Sequence, residues 1–269
     1  MKSSRITEMY NYISQFDKVS LKELAERFGI SMSTLRRDIQ ILYEQGKIEK
    51  QYGYVSTYFK DTAYRITSLN DPAPYHPRSQ INTNEKNIIA KLASKLVEDD
   101  DVIFIDSGST TALMVEHMEH LKHVTIVTNN LDVVMRAQPY SNLDIYILPG
   151  LYKRSNNSFS LLAESYIYDY YNIKKAFIAC TGISLSEGVS HTDLSERIIK
   201  QCTISHTKNC YLLVDHTKFD YVAPLHLCDI KQFTAICTDI RPPKPYVDFC
   251  QQHNVGLYFE TNQNHETLN

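Results

Sequence analysis

The sequence predicts an α/β protein in two parts. A small helical domain closed by a β-hairpin comes first, and a Rossmann-like, mostly parallel α/β domain follows. Three observations predict it. Up to Gly46, apolar residues recur at helical spacing, and the chain then alternates around Gly53. Residues 59–83 lose periodicity and collect Pro72, Pro74 and Pro77, which stop helices and stiffen a linker. From 84 to 262, short β-rich runs alternate with helical stretches, the pattern of a parallel sheet covered on both faces. The expected boundaries are therefore 1–58, 59–83 and 84–262.

In the first part, Ile6, Met9, Tyr10 and Ile13 share one helical face. Ser20-Leu21-Lys22-Glu23 reads as a capping box opening a second helix, with Leu21, Leu24, Ala25 and Phe28 as its stripe. Gly29 supplies the left-handed residue that ends it. Ser31 caps a third helix whose inner face holds Leu35, Ile39 and Leu42 and which stops at Gly46. Two short helices joined through Gly29-Ile30-Ser31 make a helix-turn-helix. Residues 47–50 and 54–56 alternate as a hairpin wing beside it.

The outer face of the third helix carries Ser33, Thr34, Arg36, Arg37 and Gln40. Hydroxyls near a helix N-terminus suit phosphates, and Arg and Gln make bidentate contacts to base edges. With Ser20, Ser31, Lys47 and Lys50, these are the candidate contacts to double-stranded DNA. Charge supports the assignment. Net charge is −3 overall, yet residues 1–60 hold 10 Lys/Arg against 7 Asp/Glu, so the basic excess lies in this segment.

Composition is ordinary for a globular protein, 43% hydrophobic and 22% charged. No apolar run reaches the roughly 20 residues that span a bilayer, and MKSSRITEMY has no signal-peptide pattern, so a cytoplasmic protein is expected. Six scattered cysteines without C-x-x-C spacing read as free thiols.

In the second part, Ile88, Ile89, Leu92 and Leu96 mark a helix. Strands are expected at Val102–Asp106, Val124–Thr128, Ile145–Leu148, Ala176–Cys180, Tyr211–Asp215, Phe233–Thr238 and Gly256–Phe259. Ligands bind such sheets at the carboxyl ends of strands. After the first strand, Asp106, Ser107, Gly108, Ser109, Thr110 and Thr111 form a small hydroxyl-rich turn running into a helix, which suits a phosphate or is an ordinary capped turn. Thr128 and Asn129 end the second strand. Lys153 and Arg154 lie in a polar loop that could close over an anion or simply face solvent. Asp215 and Lys218 follow the fifth strand, placed to hold a sugar hydroxyl and a phosphate or to pair with each other.

Residues 5–55 resemble the N-terminus of the DeoR family of bacterial regulators. The match includes Val19-Ser20-Leu21-Lys22-Glu23-Leu24-Ala25, Phe28-Gly29-Ile30-Ser31 and Ser33-Thr34-Leu35-Arg36-Arg37-Asp38-Ile39, with Tyr52-Gly53-Tyr54 where the family usually has His-Gly-Gly. Residues 84–260 resemble its sensor domain through Ile105–Thr111, Val127-Thr128-Asn129-Asn130, Leu148-Pro149-Gly150 and Asp215-His216-Thr217-Lys218-Phe219. Cys180-Thr181 stands where the family usually has a carboxylate. The resemblance implies a winged helix-turn-helix regulator with a sensor fold like sugar-phosphate isomerases, a phosphorylated-sugar effector and no enzymatic activity. A repressor acting as a homodimer or homotetramer fits this reading.

Two other functions compete. An isomerase would use Asp106, Glu164 or Asp215 as its base, but needs neither Arg36 and Arg37 nor a wing. A DNA-binding protein without an effector is the third reading. His117, His120 and His123 drift around a helix at spacings of three, so no metal site is expected. Tyr166, Tyr168, Tyr170 and Tyr171 read as packing or a subunit contact.

Overall fold

The computed structural model describes residues 2–13, 19–44, 48–51, 53–57, 75–160, 170–260 and 266–268. The chain divides into two compact units, Met1–Thr67 and Ser68–Asn269.

In the first unit, α1 (Lys2–Ile13), α2 (Leu21–Phe28) and α3 (Met32–Glu44) enclose Met9, Ile13, Leu24, Leu35, Ile39 and Leu42. Beside them, β1 (Val19–Ser20), β2 (Ile48–Gln51) and β3 (Tyr54–Thr57) form an antiparallel sheet in the order β1-β3-β2. Its Val19, Ile48 and Val55 close the same core. Gly29 ends α2 at φ 60°, a left-handed conformation that costs any residue with a Cβ. The expected capping box is half formed. Ser20 Oγ accepts from Glu23 N at 3.1 Å, but Glu23 Oε1 takes a hydrogen bond from the Tyr12 hydroxyl at 2.8 Å. Gly46, expected to stop α3, lies outside the described residues.

The second unit begins with α4 (Tyr75–Gln80) and α5 (Thr83–Ser94). The first of these falls inside the stretch expected to be linker. Its Pro77 lies in the first helical turn, where a missing N–H is tolerated. Tyr75 N donates to Ser155 O at 2.6 Å and its hydroxyl to Asp132 at 2.7 Å, which ties α4 to the second unit.

Seven parallel strands follow: β4 (Val102–Ile105), β5 (Val124–Thr128), β6 (Leu143–Ile147), β9 (Lys175–Ala179), β12 (Asn209–Leu213), β14 (Ala235–Cys237) and β15 (Gly256–Phe259). A last strand, β16 (Glu266–Leu268), beyond the expected domain end, pairs antiparallel with β15. The sheet order is β16-β15-β14-β12-β9-β4-β5-β6. The order runs outward in one direction from β4 through β5 to β6, and in the other from β9 through β12. A topological switch point therefore lies between β4 and β9, where α/β sheets open a crevice at their carboxyl ends. Phe104, Ile178 and Leu212 pack one face and Ile103, Phe177 and Leu213 the other, as β-strand alternation requires.

Two smaller sheets stand beside this one. The hairpin β7 (Leu151–Lys153) and β8 (Ser158–Ser160) occupies the expected polar loop. Strands β10 (Gly182–Ser184), β11 (Gly188–His191) and β13 (Leu225–Cys228) form the other. Helices α6 (Leu131–Ala137), α7 (Leu194–His206) and α8 (Lys244–His253) complete the described α-helices. The helix expected after Thr111 is a 3-10 helix, Thr111–His117. The Thr111 hydroxyl binds the carbonyls of Asp106 at 2.8 Å and Gly108 at 2.9 Å, which tightens its first turn. Among the described residues no helix is long and apolar enough to cross a membrane.

Candidate functional site

On α3 the apolar stripe faces inward, so spacing alone turns Ser33, Arg36, Arg37 and Gln40 to solvent. Thr34 is half-buried. Ser31 Oγ accepts from Thr34 N at 3.3 Å and contacts the hydroxyls of Ser33 at 2.9 Å and Thr34 at 3.0 Å. A hydroxyl cluster thus opens the helix, with two guanidinium groups following it. Lys50 on the wing donates to Gln40 Oε1 and sits 4.6 Å from the Tyr43 ring centre, joining β2 to α3. Leu21 N bonds Gly53 O at 3.0 Å, fixing the hairpin to α2. Lys47 lies outside the described residues. Asp38, which directly follows the two arginines, is buried and takes Arg5 Nη2 at 2.7 Å and Nε at 2.9 Å. It locks α3 onto α1, while Arg36 and Arg37 stand in solvent.

The carboxyl ends of the central strands in the second unit meet around a buried ion pair. Asp106, at the end of β4, and Lys200, on α7, are each 1% exposed and bonded to one another. Asp106 also accepts from Ala179 N at 2.9 Å and Ser107 Oγ at 3.2 Å, while Lys200 donates to Ala179 O at 3.1 Å. The carboxylate is therefore committed to joining β4, β9 and α7. Thr128 Oγ1 similarly donates to Ile105 O at 2.6 Å. Asn130 Nδ2 donates to the carbonyls of Asp106 and Gly108 at 3.2 and 3.3 Å.

Gly108 faces the end of β9. A Cβ there would lie 2.5 Å from that of Ala179, so only glycine lets the turn approach so closely. The backbone N–H groups of Ser107, Gly108, Ser109 and Thr110 donate to no acceptor among the described residues.

Asp215 accepts from Thr217 N at 3.0 Å, from the Thr217 hydroxyl and from Asn82 Nδ2 at 3.4 Å. Lys218 is half-buried in the 3-10 helix His216–Lys218, where its backbone N–H bonds Asp215 O at 3.0 Å, and its ammonium has no hydrogen-bond partner among the described residues. Cys180 keeps part of its surface exposed while burial pushes its thiol up to about 12, with Lys218, Lys200, Asp215 and Asp106 all within electrostatic reach. The ends of β4, β9 and β12 thus converge around it. Burial drives Lys86 down to about 8, opposed by Asp215 and reinforced by Lys218 and Arg78. Besides Lys200, which Asp106 pairs, three cations therefore crowd this end of the sheet.

The expected lid is only partly available. Lys153 donates to Asp193 at 3.3 Å and to the Ser195 hydroxyl, at the start of α7. Arg154 is exposed. Glu196 and His191 are buried together, 3.2 Å apart. Burial alone would raise Glu196, but the His191 bond and nearby Lys200 and Arg78 hold it at about 2. Sequence reasoning missed Lys200, Glu196, Lys86 and Arg78. On α7 a signal existed, because Glu196, Ile199, Lys200, Thr203 and Ile204 are one helical stripe facing the sheet, with two charges in it. His117 bonds Asn87 at 2.9 Å, and no metal-binding cluster occurs among the described residues. Of the tyrosine run, Tyr171 packs on Tyr146 at 4.8 Å, Tyr170 is exposed, and Tyr166 and Tyr168 lie outside the described residues.

Comparison with known proteins agrees with both halves. Residues 5–58 match the DeoR-like helix-turn-helix domain and residues 81–240 the DeoR C-terminal sensor domain. The chain is 38% identical to the HTH-type transcriptional regulator IolR of Bacillus subtilis, over 96% of this chain and 99% of that one. It is 26% identical to the deoxyribose operon repressor of Escherichia coli over 96% and 98%. It is 25% identical to the glycerol-3-phosphate regulon repressor of the same species over 95% and 98%. A ribose 5-phosphate isomerase structure from Methanocaldococcus jannaschii aligns at 17% identity and a TM-score of 0.40, over 70% of this chain and 99% of that one, too distant to carry an argument. The isomerase alternative falls on the family matches, and the chain belongs to the DeoR family as a DNA-binding transcriptional regulator rather than an enzyme.

Proposed function

We propose that the protein represses a carbohydrate-utilisation operon and releases its operator when a phosphorylated sugar binds at the carboxyl ends of β4, β9 and β12. One observation carries the ligand half. Four successive backbone N–H groups, from Ser107 to Thr110, are left without acceptors among the described residues, in a turn that Gly108 lets pack against the end of β9. Such a nest suits a phosphate, and Lys218 adds a positive charge across the crevice. The relatives named as repressors of the deoxyribose operon and the glycerol-3-phosphate regulon support the choice of ligand class. Arg36, Arg37 and the wing read double-stranded DNA in the cytoplasm, as a homo-oligomer matched to paired half-sites.

The test is titration of full-length protein onto its own upstream DNA, with and without three- to six-carbon sugar phosphates, for wild type and Lys218→Ala. A ligand that couples two sites shifts affinity by about 1–3 kcal/mol, or roughly 5- to 150-fold. Wild type should lose DNA affinity by that factor with one sugar phosphate. Lys218→Ala should bind DNA normally and need more ligand for release. A wild type indifferent to every sugar phosphate would overturn the effector reading. An equal response in Lys218→Ala would move the ligand away from β12.

A further inference from the structure

Four buried polar atoms without partners gather on neighbouring elements. They are Arg78 Nε on α4, Asn129 Oδ1 after β5, Asn156 Nδ2 in the turn between β7 and β8, and Ser160 Oγ at the end of β8. A fifth, Thr207 Oγ1, precedes β12 and so belongs to the opposite end of the sheet. Asn129 and Asn156 are each 1% exposed.

Hydrogen bonds define the shared neighbourhood. Phe159 N donates to Asn129 O at 2.8 Å, and Asn129 Nδ2 donates to Phe159 O at 3.3 Å. Leu131 N bonds Asn157 O at 3.0 Å, and Tyr75 N, one helical turn before Arg78, bonds Ser155 O at 2.6 Å. Ser158 Oγ contacts Glu196 Oε1 at 3.4 Å, and Arg78 lies within electrostatic reach of the same carboxylate. Asn130, next to Asn129, bonds the turn after β4. The hairpin and α4 are thus tied to the segment Asn129–Asp132, whose Asn130 reaches the turn after β4.

Leaving such groups unpaired is costly, and each calls for an external partner. The chemistry of the set narrows that partner. Arg78 Nε and Asn156 Nδ2 donate, Asn129 Oδ1 accepts, and Ser160 Oγ does both. An ionised phosphate oxygen only accepts and cannot satisfy Asn129. A hydroxyl donates and accepts, and adjacent hydroxyls on a sugar do so repeatedly.

We propose that Arg78, Asn129, Asn156 and Ser160 form a polyol subsite continuous with the phosphate nest, so that the effector is selected by its sugar hydroxyls as well as its phosphate. The inference rests on the effector reading above and adds where the sugar lies. It also assigns a ligand contact to α4, the helix into which the segment joining the two units leads.

The experiment is calorimetric titration of full-length wild type, Asn156→Ala and Ser160→Ala with three- to six-carbon sugar phosphates and with inorganic phosphate, alongside the Tm of each unliganded protein. Wild type should bind its preferred sugar phosphate at least tenfold more tightly than inorganic phosphate. Each variant should lose about tenfold for the sugar phosphate, the scale of one hydrogen bond, and keep its affinity for inorganic phosphate. The Tm should hold or rise, because the substitution removes an unpaired buried group. Unchanged sugar-phosphate affinity in both variants would overturn the subsite alone. A lowered Tm with both affinities lost would assign these residues to folding and overturn it too. A wild type that binds no sugar phosphate would overturn both this inference and the reading beneath it.

Discussion

The recognition helix and the end of β4 use charge in opposite ways. On α3, Arg36 and Arg37 stand in solvent above a core of Leu35, Ile39 and Leu42. At β4, Asp106 is buried and answered by Lys200, 94 positions away. One arrangement leaves charge exposed to solvent. The other consumes it in holding strands and a helix together, and the backbone N–H groups of the adjoining turn have no acceptor among the described residues. An exposed charge is a guide to binding, whereas a buried one reports first on architecture.

The comparison breaks most visibly at the ion pair. Removing one partner of a buried pair strands the other charge and costs about 3–5 kcal/mol. Lys200→Met should lower unfolding stability in urea by that amount, and adding Asp106→Asn should recover part of it. A loss below about 1 kcal/mol in the single variant would mean that Asp106 is free for a ligand after all.

On α3 the same kind of change should act only on binding. Arg36→Ala and Arg37→Ala should each cost about 1–3 kcal/mol of operator affinity by fluorescence anisotropy, if a base contact is lost. Stability should stay within about 0.5 kcal/mol, as for other exposed positions. Unaltered affinity in both would remove the recognition helix from the interface. A fall in Tm would show that the arginines support the fold.

This contrast also explains what was legible in the sequence. The helices, wing and recognition face of the first unit follow from apolar spacing, caps and glycines within about fifty residues, all local signals. The seven parallel strands were legible because β-rich runs such as Val124–Thr128 stand out from the helical stretches between them. The turn from Ser107 to Thr111 was visible as small hydroxyl residues after a strand. The partners of that turn were not, because Lys200, Asn130 and Ala179 reach it only through the strand order. Lys153 looked like a free cation for the same reason, since Asp193 and Ser195 lie forty residues on. Of the prolines before residue 84, Pro72 and Pro74 lie outside the described residues, and Pro77 is compatible with the first turn of α4 and did not exclude a helix there.

The smallest expected effect tests the one local signal that was only half right. Ser20 caps α2 through Glu23 N at 3.1 Å, and an N-cap serine is worth about 1 kcal/mol against alanine. Ser20→Ala should therefore lower the stability of the first unit by about that much, and Ser20→Asp should restore it. In a complete capping box, Glu23 would satisfy the Ser20 N–H and be coupled to Ser20. Here its carboxylate instead accepts from the Tyr12 hydroxyl at 2.8 Å. A double-mutant cycle should find coupling of about 0.5 kcal/mol between Tyr12→Phe and Glu23→Ala, the scale of an exposed polar pair. The Ser20→Ala and Glu23→Ala changes should combine additively, measured by urea unfolding. Coupling of Glu23 to Ser20 instead would restore the full box, and would mean that α2 is anchored by its own sequence rather than by α1.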